Sequence, residues 1–293
     1  MNGLLLVDKP AGPSSHQVVA GVRRTLACRK VGHAGTLDPA ASGLLVLGVG
    51  PGTRLLTFLV GLDKDYRATI RLGQATDTDD AAGTVVSSVG CPVDADVEEA
   101  VSRLRGPLLQ RPSSVSAIKV DGKRAYARVR SGESPDLPAR PVTVDRFDVL
   151  SRRSETVDGV SVVDLDVVVS VSSGTYVRAL ARDLGDMLGV GGHLTALRRT
   201  RVGPFDVRDA VVDVTVDTPL LDLGAAAGMV LPTVTLDEVD ARAVGNGARL
   251  PCVGADTPTA LMDPTGRLVA VSVCRDGRWK HLFVVPSATL GAA

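Results

Sequence analysis

The sequence predicts an α+β protein, with a mixed, largely antiparallel sheet in a large domain and a small β-rich module at the C-terminal end. Three observations carry this. Strand-like and helix-like stretches follow one another irregularly, without the strict alternation of a doubly wound sheet. Residues 66–72 and 161–171 alternate side chains as half-buried strands do. After residue 229, short apolar runs are separated by turn signals. A chain of 293 residues has room for one large domain and one small one. The boundary is set so that the domains run 1–228 and 229–293.

Each element follows from its pattern. Residues 3–7 read as a short buried strand. Ser14 and Ser15 precede a helix with Val18, Val19, Val22 and Leu26 on one face. Tyr66, Ala68, Ile70 and Leu72 make one face of a strand, and Arg67, Thr69 and Arg71 make the other. Val97, Val101 and Leu104 return to helical spacing. Val163, Leu165, Val167, Val169 and Val171 form a second apolar strand face. A helix marked by Val177, Leu180, Leu184 and Leu188 follows Gly174. In the tail, Asp263 to Gly266 separates Leu261 from a strand over 267–274, and Asp276-Gly277 joins that strand to 279–285. Asp-Gly suits the positive φ positions of a two-residue hairpin.

Composition excludes several classes. With 44% apolar and 23% charged residues the chain is not disordered, collagen-like or a coiled coil. Aromatics are 3%, with three Tyr, so a groove built from many stacked aromatics is not expected and a Tyr at a site acts singly. The net charge is 0, yet residues 103–153 hold twelve Lys/Arg against five Asp/Glu, and residues 205–240 hold eight acids against Arg208 alone. The first block is suited to phosphates, though such blocks also serve as solvated surface. The four cysteines, Cys28, Cys91, Cys252 and Cys274, form no C-x-x-C pair, so reduced thiols and a cytoplasmic location are expected. The start lacks the long apolar region of a signal peptide. The apolar window Ala41 to Leu62 is broken by Pro51, Gly52 and Arg54 and reads as buried core, not a membrane span.

Some apparent motifs fail. The glycines at 48, 50 and 52 lack the third glycine of a dinucleotide loop, and Asp77 to Gly83 has Ala81 and Ala82 where a calcium loop needs a ligand and a glycine. Nothing in the four histidines suggests a metal site. Two segments stand out. Gly32 to Gly43 (GHAGTLDPAASG) carries Asp38 just before Pro39, a pairing that by itself reads as a helix N-cap followed by N1 proline. Ser172 to Arg178 (SSGTYVR) joins a strand to a helix and presents Tyr176 and Arg178, where Arg178 on its own could equally be a surface partner in an i,i+4 series with Arg182.

The first segment, GHAGTLDPAASGLL, resembles the catalytic motif of the TruB family, the tRNA pseudouridine-55 synthases. Further stretches resemble that family in order: LLLVDKPAGPSSHQVV near the start, LDKDYRATIRLGQATDTDDAAG at 62–83, QRPSSVSAIKVDGKRAYARVRSGE at 110–133, SSGTYVRALARDLG at 172–185 and HLTALRRTRVGPF at 193–205. The tail resembles, on shorter signals, the PUA RNA-binding module. One departure is Ser113 after Pro112, where the family often has a second proline; it bears on the shape of that loop.

The resemblance implies a pseudouridine synthase fold and a cofactor-free, metal-free isomerase that converts uridine 55 in the T loop of tRNA to pseudouridine. By similarity Asp38 is the catalytic aspartate and Arg178 the arginine that pairs with it. Tyr66 matches the tyrosine that stacks on the extruded base, and His33 the histidine that occupies the space the base leaves. Tyr176 and Leu197 match residues of the base pocket. By position alone, Lys119, Lys123, Arg124, Arg128, Arg198, Arg199 and Arg201 are candidate phosphate contacts. The implied partner is tRNA, through its T arm and, through the tail, its acceptor stem; no membrane or obligate protein partner is implied. The competing readings are a non-catalytic tRNA-binding or folding protein, which needs neither Asp38 nor the Arg178 charge, and a synthase acting on ribosomal RNA.

Overall fold

The computed structural model describes residues 1–113, 119–120, 123–124, 138–254 and 256–286. In chain order the strands before the longest hairpin are β1 (Gly3–Lys9), β2 (Val31–Ala34), β3 (Ser42–Val49), β4 (Lys64–Leu72), β5 (Gln74–Thr76), β6 (Val85–Ser88), β7 (Gly106–Gln110), β8 (Lys119–Val120) and β9 (Lys123–Arg124). Then come β10 (Arg140–Val157), β11 (Val160–Val171), β12 (Gly192–Val202), β13 (Phe205–Asp206), β14 (Thr233–Thr235), β15 (Thr259–Met262), β16 (Leu268–Arg275) and β17 (Arg278–Val284). The helices are α1 (Ser15–Thr25), α2 (Leu56–Leu59), α3 (Val97–Arg103), α4 (Val177–Met187), α5 (Leu223–Val230) and α6 (Glu238–Gly245). Two compact units form. One comprises Met1–Pro39, Gly43–Gly61 and Val202–Ala293; the other comprises Ala40–Ser42 and Leu62–Arg201.

In the first unit β3 pairs antiparallel with β1 and with β2. Helix α1 begins where the serines predict: Ser14 accepts from the Gln17 N–H, and the Gln17 side chain returns the bond to Ser14, a reciprocal cap. Its Val19, Val22 and Leu26 pack on Leu5, Val7, Leu45 and Leu47, the apolar face of the strands. The tail has its own sheet, with β14 parallel to β15 and β15, β16 and β17 antiparallel. Asp276 and Gly277 take φ of 53° and 70°, as the hairpin reading requires. The boundary expected near residue 229 falls inside α5, which packs on β1 as well as on β15 and β16. Reduced thiols were expected at all four cysteines, but Cys252 and Cys274 are joined in a disulfide, with Cα atoms 5.9 Å apart. The pairing was not legible because 22 residues separate the two and only the fold of the tail brings them together.

In the second unit the strand order is β12-β4-β11-β10-β7. The β4–β11, β11–β10 and β10–β7 pairs are antiparallel. The period-two reading of β4 is realised: Tyr66, Ala68, Ile70 and Leu72 are buried. The opposite face carries cross-strand polar pairs, with Arg71 bidentate to Asp164 at 2.8 Å and Thr69 bonded to Asp166. Arg153 and Ser151 also bond Asp166 and hold its carboxyl well below the usual range, with the Arg153 bond the largest cause. Asp158-Gly159 turns β10 into β11, with φ of 50° and 79°. Helix α4 buries Leu180 and Leu184, as the spacing predicts.

Helix α4 meets the start of β12 backbone to backbone. A Cβ at Gly185 would lie 2.1 Å from the Gly191 carbonyl carbon and 2.2 Å from the Gly192 nitrogen, with no flexible side chain to yield. Gly185→Ala is therefore expected to destabilise the protein by about 3 kcal/mol, the upper part of the range for overpacking. Urea unfolding followed by circular dichroism checks this, and a shift below about 0.5 kcal/mol, typical of a surface change, would contradict the packing described.

Candidate active site

Asp38 is half-buried and lies in the loop between β2 and β3. The helix that Asp-Pro signals in isolation does not form: residues 39 and 40 make a turn, and β3 starts at Ser42. The N-cap reading is corrected because the residues after Pro39 are drawn at once into strand pairing with β1, where Gly43 lies opposite Lys9.

Both neighbours of Asp38 are anchored by the segment that follows β1. The buried Ser15 hydroxyl accepts from the Leu37 N–H and donates to the Leu37 carbonyl, both at 2.9 Å. On the other side the Pro39 carbonyl accepts from the Gly12 N–H at 2.8 Å and from the Lys9 ammonium at 3.3 Å. Lys9 has no exposed surface, and its ammonium also donates to Pro10 and Pro13 carbonyls, each at 2.9 Å. An ammonium has three donors, and three carbonyls receive them here. His33 lies on β2, with its ring edge-on to His16 at 5.4 Å.

The second unit gathers the other residues. Tyr66 is buried on β4. Tyr176 is the N-cap residue of α4, with an extended backbone, and Arg178 is the second residue of its first turn. Arg178 is 5% exposed, so it is not a member of a surface series. Its guanidinium donates to the Thr78 carbonyl at 2.9 Å and lies 3.5 Å from the Asp80 carboxylate. One turn further on, Arg182 reaches the Asp79 carboxylate at 3.2 Å, and also Asp183 and the Arg111 carbonyl. Burial pushes the Asp79 carboxyl above its ordinary pKa, against the opposing effects of Ser113 and the two arginines. The Asp77–Asp80 turn, unfit for calcium, is thus a carboxylate clasp for two arginines of one helix.

Leu197 and Arg198, on β12, line an open cleft of about 480 Å³ together with Arg67, Thr69 and Asp166. Tyr66, Tyr176 and Arg178 are not among that cleft's described lining residues. Two phosphate-contact candidates change standing. Arg199 is 1% exposed, so the outward contact expected of it is withdrawn: its guanidinium lies inside. Arg201 binds Asp65 at 2.7 and 2.8 Å and also reaches Asp63, which raises its pKa and compensates its charge locally. The backbones of Lys119 and Arg124 pair across β8 and β9, as do those of Val120 and Lys123. Arg128 lies outside the described residues. The sequence alone assigns Lys9, Ser15, Asp79, Asp80 and Gln110 no role at the site. The sequence holds no local signal for the clasp, because about a hundred residues separate the arginines from the acid-rich turn.

Comparison with known proteins identifies the family. The description "TruB family pseudouridylate synthase (N terminal domain)" matches residues 23–177. The family's "tRNA pseudouridylate synthase B C-terminal domain" matches 178–218, and "tRNA Pseudouridine synthase II, C terminal" matches 231–286. A chain in the crystal structure of a Cbf5-Nop10-Gar1 complex superposes with a TM-score of 0.72 at 26% identity, covering 98% of this chain and 86% of that one. A chain in the structure of an H/ACA RNP bound to a substrate RNA containing 2′-deoxyuridine gives 0.68 at 24% identity over 99% and 81%, a likeness of fold. The fold is therefore that of a pseudouridine synthase. The chain belongs to the TruB family. The tRNA pseudouridine synthase B of Arthrobacter sp. strain FB24 is 50% identical over 97% of this chain and 96% of its own. That of Mycolicibacterium paratuberculosis strain K-10 is 51% identical over 98% and 99%.

Lys9→Met keeps the apolar stem but takes the ammonium from the Pro10 and Pro13 carbonyls and leaves Pro39 with the Gly12 N–H alone. At the cost of an unsatisfied buried group, this substitution is expected to remove about 3 kcal/mol of stability. Thermal and urea unfolding test it; an unchanged midpoint would mean that the clamp around Asp38 contributes nothing.

Proposed function

We propose that this chain converts uridine 55 in the T loop of tRNA to pseudouridine. The observation that carries the reading is the Asp38 loop: a half-buried carboxylate in a family motif, with the residue on each side tied down. Relatives about half identical over nearly their whole length carry the name tRNA pseudouridine synthase B.

The chemistry suits the residue types. As the N1–C1′ bond breaks, C1′ becomes electron-poor, and an adjacent carboxylate either bonds to it or takes a proton that allows elimination. The freed uracil rotates, C5 bonds to C1′, C5 loses its proton and N1 gains one, so no atom is added or lost. In this reading Arg178, a planar fork suited to a carboxylate, is the arginine that pairs with Asp38. The base leaves the stack at a cost of a few kcal/mol. Tyr66 stacks on it, His33 fills the space it leaves, and Tyr176 and Leu197 line its pocket. Arg198 and the block containing Lys119, Lys123, Arg124 and Arg128 meet phosphates. The module from residue 229 touches RNA beyond the target loop, toward the acceptor stem. The reaction belongs to the cytoplasm and involves no membrane or obligate protein partner.

Asp38→Asn tests the reading and separates it from mere tRNA binding. Asn keeps the size of the side chain and removes its charge and basicity. Turnover on a T-arm stem-loop is expected to vanish while tRNA affinity is retained; measurable pseudouridine from the folded variant would sink the assignment. A ribosomal fragment run in parallel separates the two RNA substrates. Affinity for tRNA is expected to fall steeply with salt although the net charge is 0. The slope of log K against log salt is roughly −0.7 to −0.9 per phosphate neutralised. Joint charge reversal at Lys123, Arg124 and Arg128 should flatten that slope; an unchanged slope would remove this block from the RNA face.

A further inference from the structure

Gln110 is the last residue of β7 and is 1% exposed. Both ends of its amide are spent on one residue. The Tyr176 N–H donates to Gln110 Oε1 at 2.8 Å, and Gln110 Nε2 donates to the Tyr176 carbonyl at 3.1 Å. The side chain thus meets the Tyr176 backbone as a neighbouring strand would, although β11 has ended at Val171. Opposite Gln110, on β10, stands Arg140. Its guanidinium carbon lies 5.4 Å from the centre of the Tyr176 ring, within cation–π range. Two residues that face each other on paired strands therefore hold one tyrosine at two points, the amide at its backbone and the cation at its ring. Tyr176 itself makes no side-chain cap at the start of α4, so its placement comes from these neighbours.

We propose that Gln110 and Arg140 are a positioning pair that fixes the orientation of the Tyr176 ring for the reaction. The proposal rests on the reading of Tyr176 as a wall of the base pocket. Gln110 sets where the backbone lies and Arg140 limits how the ring turns. Neither residue needs to touch RNA. A planar amide is required because only it offers a donor and an acceptor side by side. A guanidinium is preferred because it stacks on a ring in a way that a lysine ammonium does not.

The test is a set of double-mutant cycles read by single-turnover rate on a T-arm stem-loop at saturating enzyme, with RNA affinity measured separately. Gln110→Leu and Arg140→Gln are each expected to lower the rate by about tenfold, a modest fraction of what misplacement by 1 Å can cost. Affinity should change much less than rate. Arg140→Lys should recover only part of the loss. Gln110→Glu, which keeps the acceptor and loses the donor, should fall between wild type and Gln110→Leu. On a Tyr176→Ala background both substitutions should have little further effect, because the group they position is gone. Undiminished losses on that background, or no loss in the wild-type background, overturn the positioning role while leaving Tyr176 in its pocket. If Tyr176→Ala itself leaves the rate unchanged, the reading of Tyr176 falls and the proposal with it. Should Gln110→Leu fail to fold, Arg140→Gln decides the matter on the same two backgrounds.

Discussion

A buried ammonium holds the turn that carries Asp38. Lys9 leaves water entirely, a costly move for a charge, and its three donors meet three backbone carbonyls, which offsets that cost. Two of those carbonyls belong to the Pro10–Pro13 segment and one to Pro39, so a single side chain ties the end of β1 to the residue after Asp38. Ser15 does the same for the residue before it. A carboxylate in a loop would otherwise sample many positions; here its backbone has few.

The second unit solves the matching problem on a sheet. One face of β4 and β11 is apolar and closed, which leaves the other free for charged ladders such as Arg71 with Asp164. Helix α4 does two jobs. Its apolar side completes the core through Leu180 and Leu184, and its first turns deliver Arg178 and Arg182 to Asp80 and Asp79. The close backbone approach at Gly185 and Gly192 sets how deeply the helix sits, and therefore where those guanidinium groups end.

Local patterns were legible and long-range partners were not. Period-two alternation located β4 and β11, and the serine pair located the start of α1. Asp276-Gly277 fixed a tail hairpin; the same dipeptide at 158–159 turns β10 into β11 and carried the same information unread. The importance of Asp38 came from resemblance, since its local signal, Asp before Pro, pointed to a helix cap that tertiary pairing overrides. The tie from Lys9 to Pro39, the Gln110 contact and the Asp79–Asp80 clasp were invisible because they join residues 30, 66 and about 100 apart. The Cys252–Cys274 bond was missed for the same reason. Arg199 shows the limit of counting charges: position in a basic run does not say which way a side chain points.

The pairing of Leu4 with Leu221 has a consequence for how the chain is assembled. Their backbones exchange hydrogen bonds at 2.9 and 2.8 Å, which joins the first strand to a segment made more than two hundred residues later. Apart from three residues, the second unit is one continuous stretch, Leu62–Arg201, and can close on its own contacts as it leaves the ribosome. The first unit cannot. The core around β1 waits for later residues that complete it, among them Val211, Val214 and Leu220. Translation order thus delays completion of this core until residues 211–221 have been made, whereas the contacts that hold the Asp38 loop, from Lys9, Gly12 and Ser15, come from the N-terminal segment itself.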